Sequence, residues 1–168
     1  LLNRSSDLVI GNFAQHPKSK SLGKIIIGNN NIINEFCNIH LPTKNKKKTI
    51  IGNNNYFMNS TTIDHDCTIE NNVILSSNVI LGGNVYIMNS AQIGIKGCIH
   101  QNQIIGSYSM IGMNSFVTKK LRVVPGYKFY GKPAKKKKKN ILALKRNNID
   151  KKKLDFETKR FSNLIKMN

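Results

Sequence analysis

Residues 51–117 read IGNNNYFMNSTTIDHDCTIENNVILSSNVILGGNVYIMNSAQIGIKGCIHQNQIIGSYSMIGMNSFV. Steps of six from Ile51 land on Phe57, Ile63, Ile69, Leu75, Leu81, Ile87, Ile93, Ile99, Ile105, Ile111 and Val117, every one large and apolar. The residue two before each is mostly small or modest, as at Thr61, Cys67, Val73, Val79, Val85 and Ala91. Glycine follows the apolar residue at Gly52, Gly82, Gly94, Gly106 and Gly112. An α-helix would set apolar residues three and four apart, and a lone strand would alternate by two. A period of six with one aliphatic and one small inward residue predicts a parallel β-helix. Three such faces make one coil, and coils stack at the strand spacing of ~4.8 Å.

The same phase appears earlier at Ile27-Gly28, Ile33 and Ile39. Residues 40–49 read as a loop replacing one repeat, and residues 13–23 as a second long loop. The chain enters the pattern midway, at LVIGN. An open coil end would expose an unpaired edge, so further coils are expected before residue 1. The pattern stops after Val117. Turn signals follow at Pro125-Gly126 and Gly131-Lys132-Pro133. Residues 140–147 and 151–167 are partly periodic and predict two helices, the second capped by Asp150. The expected organisation is a β-helix over 1–124, with loops near 13–23 and 40–49, then a basic linker and C-terminal helices over 125–168.

The 168 residues carry a formal charge of +19, which points towards an acidic partner: nucleic acid, an anionic membrane or an acidic protein. The charge is uneven. Residues 119–168 hold 18 of the 27 bases and three acids, with the Lys135–Lys139 run at the centre. Such a run is commonly a solvated tail. Lys, Asn and Ile are all heavily used, so biased coding contributes as well. No apolar run reaches the ~18–20 residues of a membrane span. No basic start followed by an apolar core marks a signal peptide. Cys37, Cys67 and Cys98 form no paired spacing, which fits a reducing compartment and no disulfide framework.

Stacking turns spacing into geometry. His65 shares a column with Gly83 and Gln101, and His100 adjoins Gln101. Asp64 and Asp66 flank His65. A carboxylate beside an imidazole orients it and raises its basicity, as a general base needs. Gly83 could present a backbone N–H to an oxyanion without side-chain cover. A surface histidine between two acids fits the same spacing. His16, His40, His65 and His100 match no zinc spacing. Cys37 and Cys67 fall at small inward positions and read as core. No Ser–His–Asp signature, phosphate loop or RNA-binding aromatic motif is present.

With TTIDHDCTI, LGGNV and IHQNQIIG in this order, the sequence resembles the UDP-N-acetylglucosamine O-acyltransferases, hexapeptide-repeat enzymes of the first step of lipid A synthesis. IIIGNNNIINEFCNIH and GKPAKKKKKNILALKR extend the resemblance over roughly residues 9–148. The resemblance implies a left-handed β-helix and a cytoplasmic homotrimer with sites in the grooves between subunits. His65 would be the general base on the sugar 3-hydroxyl, with Asp66 orienting it and the Gly83 backbone stabilising the oxyanion. His100 and Gln101 would line the sugar-nucleotide site, which Gln15 and Lys18 would reach from the first loop. Asn140 and Arg146 would bind the nucleotide end. Met113 falls where the family sets acyl length and implies a chain shorter than glycine would allow. Acyl carrier protein would bring the 3-hydroxyacyl group to UDP-N-acetylglucosamine, with no metal, no other cofactor, no nucleic acid and no stable membrane insertion. The basic surface would meet the acidic carrier. Thr62, Asn84 and His16 depart from residues usual in the family. A coenzyme A-dependent sugar-nucleotide acetyltransferase of the same fold is the alternative. A non-enzymatic β-helix whose lysine tail binds phosphates is a further one.

Overall fold

A computed structural model describes residues 7–15 and 22–167. Short strands wind into three parallel sheets, which form the faces of a prism. The first face stacks Val9–Asn12, Asn38–His40, Thr62–Ile63, Ile80–Leu81, Cys98–Ile99 and Phe116–Val117. The second stacks Lys24–Ile27, Lys48–Ile51, Thr68–Ile69, Tyr86–Ile87 and Ile104–Ile105. The third runs from Ile32–Ile33 through Tyr56–Phe57, Ile74–Leu75, Gln92–Ile93 and Met110–Ile111 to the pair Tyr127–Gly131 and Ala134–Lys139. Leu81 pairs with Ile99, Ile87 with Ile105 and Ile93 with Ile111, so a coil is 18 residues on every face.

The hexad explains both the core and the corners. Its aliphatic residue and its small residue point inwards, and Ile63, Cys67, Val73, Leu81, Val85 and Ile99 are all buried in one continuous cluster. Each fully buried aliphatic side chain contributes about 1.5–3 kcal/mol relative to exposure, and the ladder repeats that gain coil after coil. The chain turns three residues after each aliphatic. Every sixth residue from Asn54 to Asn114 there takes a left-handed conformation, Asp66 (φ 61°), Asn84 (φ 58°) and Asn102 (φ 59°) among them. Asn and Asp tolerate that region better than other side chains, so much of the asparagine that suggested coding bias has a structural use.

Two segments differ from the sequence expectation. Across the loop after His40 the pairing offset is Ile39 to Ile63, 24 residues rather than 18. Ile51 continues the second face beside Ile27. The loop therefore adds six residues at a corner and skips no face, so it does not replace a repeat. Residues 125–139, expected as a basic linker, extend the third face. Tyr127–Gly131 pairs in parallel with Met110–Ile111, and Ala134–Lys139 returns antiparallel to it. The lysine run is thus a sheet edge, with Lys136 Nζ 3.7 Å from the centre of the Tyr127 ring. A charged edge strand resists further strand addition.

Two helices follow, α1 at Ile141–Arg146 and α2 at Lys151–Met167. Asp150 caps α2 by accepting the Lys153 N–H at 2.8 Å. Phe161 of α2 packs with Met88 and Ile104 on the outside of the second face. A polar clamp locks this contact. Arg160 bridges Glu70 (2.5 Å) and Glu157 (2.8 Å), Ser107 Oγ donates to Glu157 (2.5 Å), and the Tyr86 hydroxyl donates to Glu70 (2.7 Å). Burial and the Glu70 carboxylate push the Tyr86 hydroxyl up to about 12, so it remains a donor. No described helix is long and apolar enough to cross a membrane.

Candidate active site

The corner between the first and second faces carries His65, Gly83 and Gln101 in successive coils, as the spacing predicts. His65 and Gln101 are two coils apart, about 10 Å along the axis. The His65 ring lies directly on Gly83. A Cβ added to Gly83 would sit 2.2 Å from His65 Cε1 and 2.4 Å from Nε2. With the imidazole where it stands, a side chain at 83 would force the ring to move, a constraint the sequence reading did not anticipate.

His65 Nδ1 lies 2.9 Å from Asp66 Oδ2. With the Nδ1 proton on that carboxylate, the lone pair sits on Nε2, on the Gly83 side. Asp66 is itself held. Thr43 Oγ1 donates to its Oδ2 at 2.7 Å, the Thr43 N–H to its Oδ1 at 3.2 Å, and Lys47 Nζ stands 3.7 Å away. Burial opposes the Asp66 charge, but these donors and His65 together hold its carboxyl below the ordinary value. Asp64 accepts the His65 N–H at 2.7 Å and faces His40 Nδ1 at 3.4 Å. Burial again works against the charge, and the nearby His40 imidazole together with the His65 N–H leaves its pKa lowered.

His40, Thr43 and Lys47 were not among the sequence-derived candidates. The signal was available: the added loop enters at the same corner one coil before His65, so its residues fold against the Asp64-His65-Asp66 turn. His40 is 3% exposed, which marks it as part of the support rather than of the surface.

Gly83, His100 and Gln101 border a groove of about 440 Å³ on the first face, floored by Ile80, Cys98 and Phe116. Ile80 and Phe116 are exposed within it. His100 and Gln101 are exposed, with His100 Nδ1 3.0 Å from the Gln101 carbonyl oxygen. Cys98 stands on the outer side of its strand in this groove, while Cys37 and Cys67 lie in the core. Burial pushes the Cys67 thiol up to about 12, so it is not a nucleophile.

The remaining candidates are not gathered at this corner. Gln15 is exposed at the edge of the first loop, and Lys18 lies outside the described residues. Asn140 is 3% exposed; its side chain donates to the Tyr108 carbonyl at 3.0 Å and its N–H to Gly126 at 2.8 Å. In this chain it ties α1 to the last coil. Arg146 is exposed at the end of α1. Met113, 72% exposed, sits at the corner between the third and first faces, in the column of Ile95. Among the described residues no three His, Cys, Asp or Glu side chains are grouped to hold a metal ion.

The family model for the bacterial transferase hexapeptide (six repeats) matches residues 48–83. An acyl-[acyl-carrier-protein]–UDP-N-acetylglucosamine O-acyltransferase of Burkholderia lata is 46% identical over 56 residues, 33% of this chain and 21% of the relative. Solved structures agree over more of the chain. The Arabidopsis UDP-N-acetylglucosamine acyltransferase superposes with a TM-score of 0.81 at 35% identity, covering 86% of this chain and 50% of that one. The UDP-N-acetylglucosamine O-acyltransferase of Moraxella catarrhalis gives 0.80 at 31%, covering 90% and 59%. The chain thus spans between half and three fifths of these solved relatives. An N-acyltransferase of Bacillus cereus, 21% identical, shares the fold alone. Over the residues that those structures cover, this chain is a left-handed parallel β-helix of hexapeptide repeats related to the UDP-N-acetylglucosamine acyltransferases.

Proposed function

We propose that the chain is an acyltransferase that moves a 3-hydroxyacyl group from acyl carrier protein to the 3-hydroxyl of UDP-N-acetylglucosamine, as in lipid A synthesis. The observation that carries this reading is the His65 imidazole, anchored through Nδ1 on Asp66 and seated on Gly83. His65 Nε2 takes the proton of the sugar hydroxyl as its oxygen attacks the thioester carbonyl. The imidazolium so formed is stabilised by the Asp66 carboxylate. The Gly83 N–H donates to the oxyanion of the tetrahedral intermediate. Collapse breaks the carbon–sulfur bond, and the proton passes from His65 to the departing thiolate. No covalent enzyme intermediate is needed, because two aligned substrates, a base and an oxyanion donor suffice.

The acyl chain lies in the apolar groove of Ile80, Cys98 and Phe116. His100 and Gln101 contact the sugar. The protein works as a homotrimer in which neighbouring subunits close these grooves, and Gln15, Lys18 and Arg146 reach the sugar nucleotide from there. The test is a single-turnover assay with UDP-N-acetylglucosamine and 3-hydroxyacyl carrier proteins of several lengths. Transfer to the sugar is the expected result. Turnover with acetyl-coenzyme A and none with any acyl carrier protein would replace the donor and with it this reading.

A further inference from the structure

Between Glu70 and Asp150 the sequence holds thirteen lysines and arginines and no acid. Residues 1–70 hold eight bases beside five acids. A coding bias would act on the whole chain, so this segregation belongs to the folded surface. Seven of the thirteen lie between Lys128 and Lys139, on the hairpin that ends the third face. The hairpin is not a tail. Phe129 and Ala134 are buried in the continuous core, and Tyr127 packs against it. Lys135 to Lys139 are all exposed along the outer strand, the last of its sheet among the described residues. Among those residues, none of the seven lysines pairs with a carboxylate. Isolated lysines are enough to blunt a sheet edge. An unbroken run of five exceeds that need, and the mutual repulsion of unpaired charges works against the fold. Such a surface is matched by a dense, extended anion.

We infer that this lysine hairpin docks on an anionic lipid bilayer, to which the protein adsorbs without inserting. The aromatic rings speak against nucleic acid. Lys136 Nζ lies 3.7 Å from the centre of the Tyr127 ring, and Lys137 Nζ lies 5.1 Å from that of Tyr130. Ammonium groups therefore cover the rings on which bases would have to stack. Tyr130 is still 45% exposed, and tyrosine among lysines suits the headgroup level of a bilayer. All seven cations are lysines. They act as point charges and need no bidentate partner, which fits a fluid array of headgroups. Position speaks against the acyl carrier. The hairpin extends the third face, whereas the His65 corner joins the first and second, across the prism. Each basic residue near an anionic leaflet contributes about fivefold in affinity, and the attraction fades within a Debye length. Adsorption also suits the proposed chemistry. A product with one acyl chain binds a membrane only marginally, and an enzyme held at the surface releases it there. The docking surface itself does not depend on the acyltransfer reading.

The test measures cosedimentation of the full chain with vesicles of phosphatidylcholine alone and of phosphatidylcholine mixed with phosphatidylglycerol. Two variants lose the same charge. One carries Lys135→Gln, Lys137→Gln and Lys139→Gln on the hairpin. The other carries Lys151→Gln, Lys152→Gln and Lys159→Gln on α2, and all these side chains are exposed. Thermal unfolding checks that each variant keeps the fold. The wild type is expected to bind the anionic vesicles, less so at high salt, and not the neutral ones. The hairpin variant should lose at least about tenfold in partition coefficient, while the α2 variant stays within about threefold of wild type. No binding of the wild type to anionic vesicles, equal binding to both compositions, or equal losses in the two variants would each overturn the inference. So would binding of a single-stranded or duplex oligonucleotide that the hairpin variant loses while it keeps the vesicles. A rise in the KM for acyl carrier protein in the hairpin variant, with vesicle binding unchanged, would give the surface to the carrier instead. If the hairpin variant alone loses the vesicles but no form of the protein transfers an acyl group, the docking surface stands and the acyltransfer reading fails.

Discussion

Two corners of the same prism, built from the same hexad, do opposite things. At the corner between the second and third faces, Asn53, Asn71 and Asn89 stack one above another. The Asn53 N–H donates to Asn71 Oδ1 at 2.7 Å, and the Asn71 N–H to Asn89 Oδ1 at 3.1 Å. Each turn is capped by the next coil. At the corner between the first and second faces the equivalent column reads His65, Gly83, Gln101. No side-chain carbonyl caps the Gly83 N–H among the described residues. This corner has lost the ladder, and an imidazole and an uncapped amide stand in its place. The lost contacts are made good from outside the repeat, by Thr43 and Lys47 of the added loop bonding Asp66. Stability is carried by repetition at one corner, and under the proposed function reactivity is carried by its interruption at the other.

Writing the ladder into the reactive corner should have the largest effect. Gly83→Asn would drive a Cβ into the His65 ring, so acyl transfer should fall by at least about 10²-fold, the lower range of what a positioned base contributes. Circular dichroism should still report the β-helix. Wild-type transfer by this variant would mean that the ring does not work from its seat on Gly83.

Asp66→Asn should come next. It should lower kcat by about 10- to 100-fold through the orientation of His65, and it should alter acid stability. The Asp66 carboxyl is depressed in the fold. Its contribution is therefore complete above the ordinary value of 3.8 and is lost as pH falls through the lower folded value. Melting temperature should fall more steeply below pH 3.8 in the wild type than in the variant. Parallel curves would remove Asp66 from the stabilised set.

Breaking the structural ladder should matter less to chemistry. Asn71→Ala removes one cap and leaves an N–H in want of a partner, costing about 1–3 kcal/mol in denaturant unfolding, with kcat kept. A matching loss of kcat without loss of stability would contradict the division between the corners. Met113→Gly should be the mildest change. At the corner between the third and first faces it should shift preference towards longer acyl donors, read as a change in the ratio of kcat/KM between chain lengths, with little change in stability.

The hexad was legible because it is local and repeated, and the His65 column followed once a coil was 18 residues. The two C-terminal helices were also legible from their periodicity. The added loop was misjudged because the eleven residues between Ile39 and Ile51 do not say whether a face is skipped; only pairing does. The lysine strand reads as a solvated tail until its side chains are seen against Tyr127 and Tyr130. The Glu70–Arg160 contact joins residues 90 apart that no repeat relates. The bond from Asn140 to the Tyr108 carbonyl was not legible, because a polar side chain carries no sign of the carbonyl that will hold it. The reactive corner was visible as a break in pattern, while its supporting shell came from a non-repeating segment and stayed hidden.

The most direct test is single-turnover acyl transfer from 3-hydroxyacyl carrier protein to UDP-N-acetylglucosamine by His65→Ala beside the wild type, with fold and assembly verified for both. Transfer by the wild type and a loss of at least about 10²-fold in the variant is the predicted result. Equal rates in the two proteins would contradict the account.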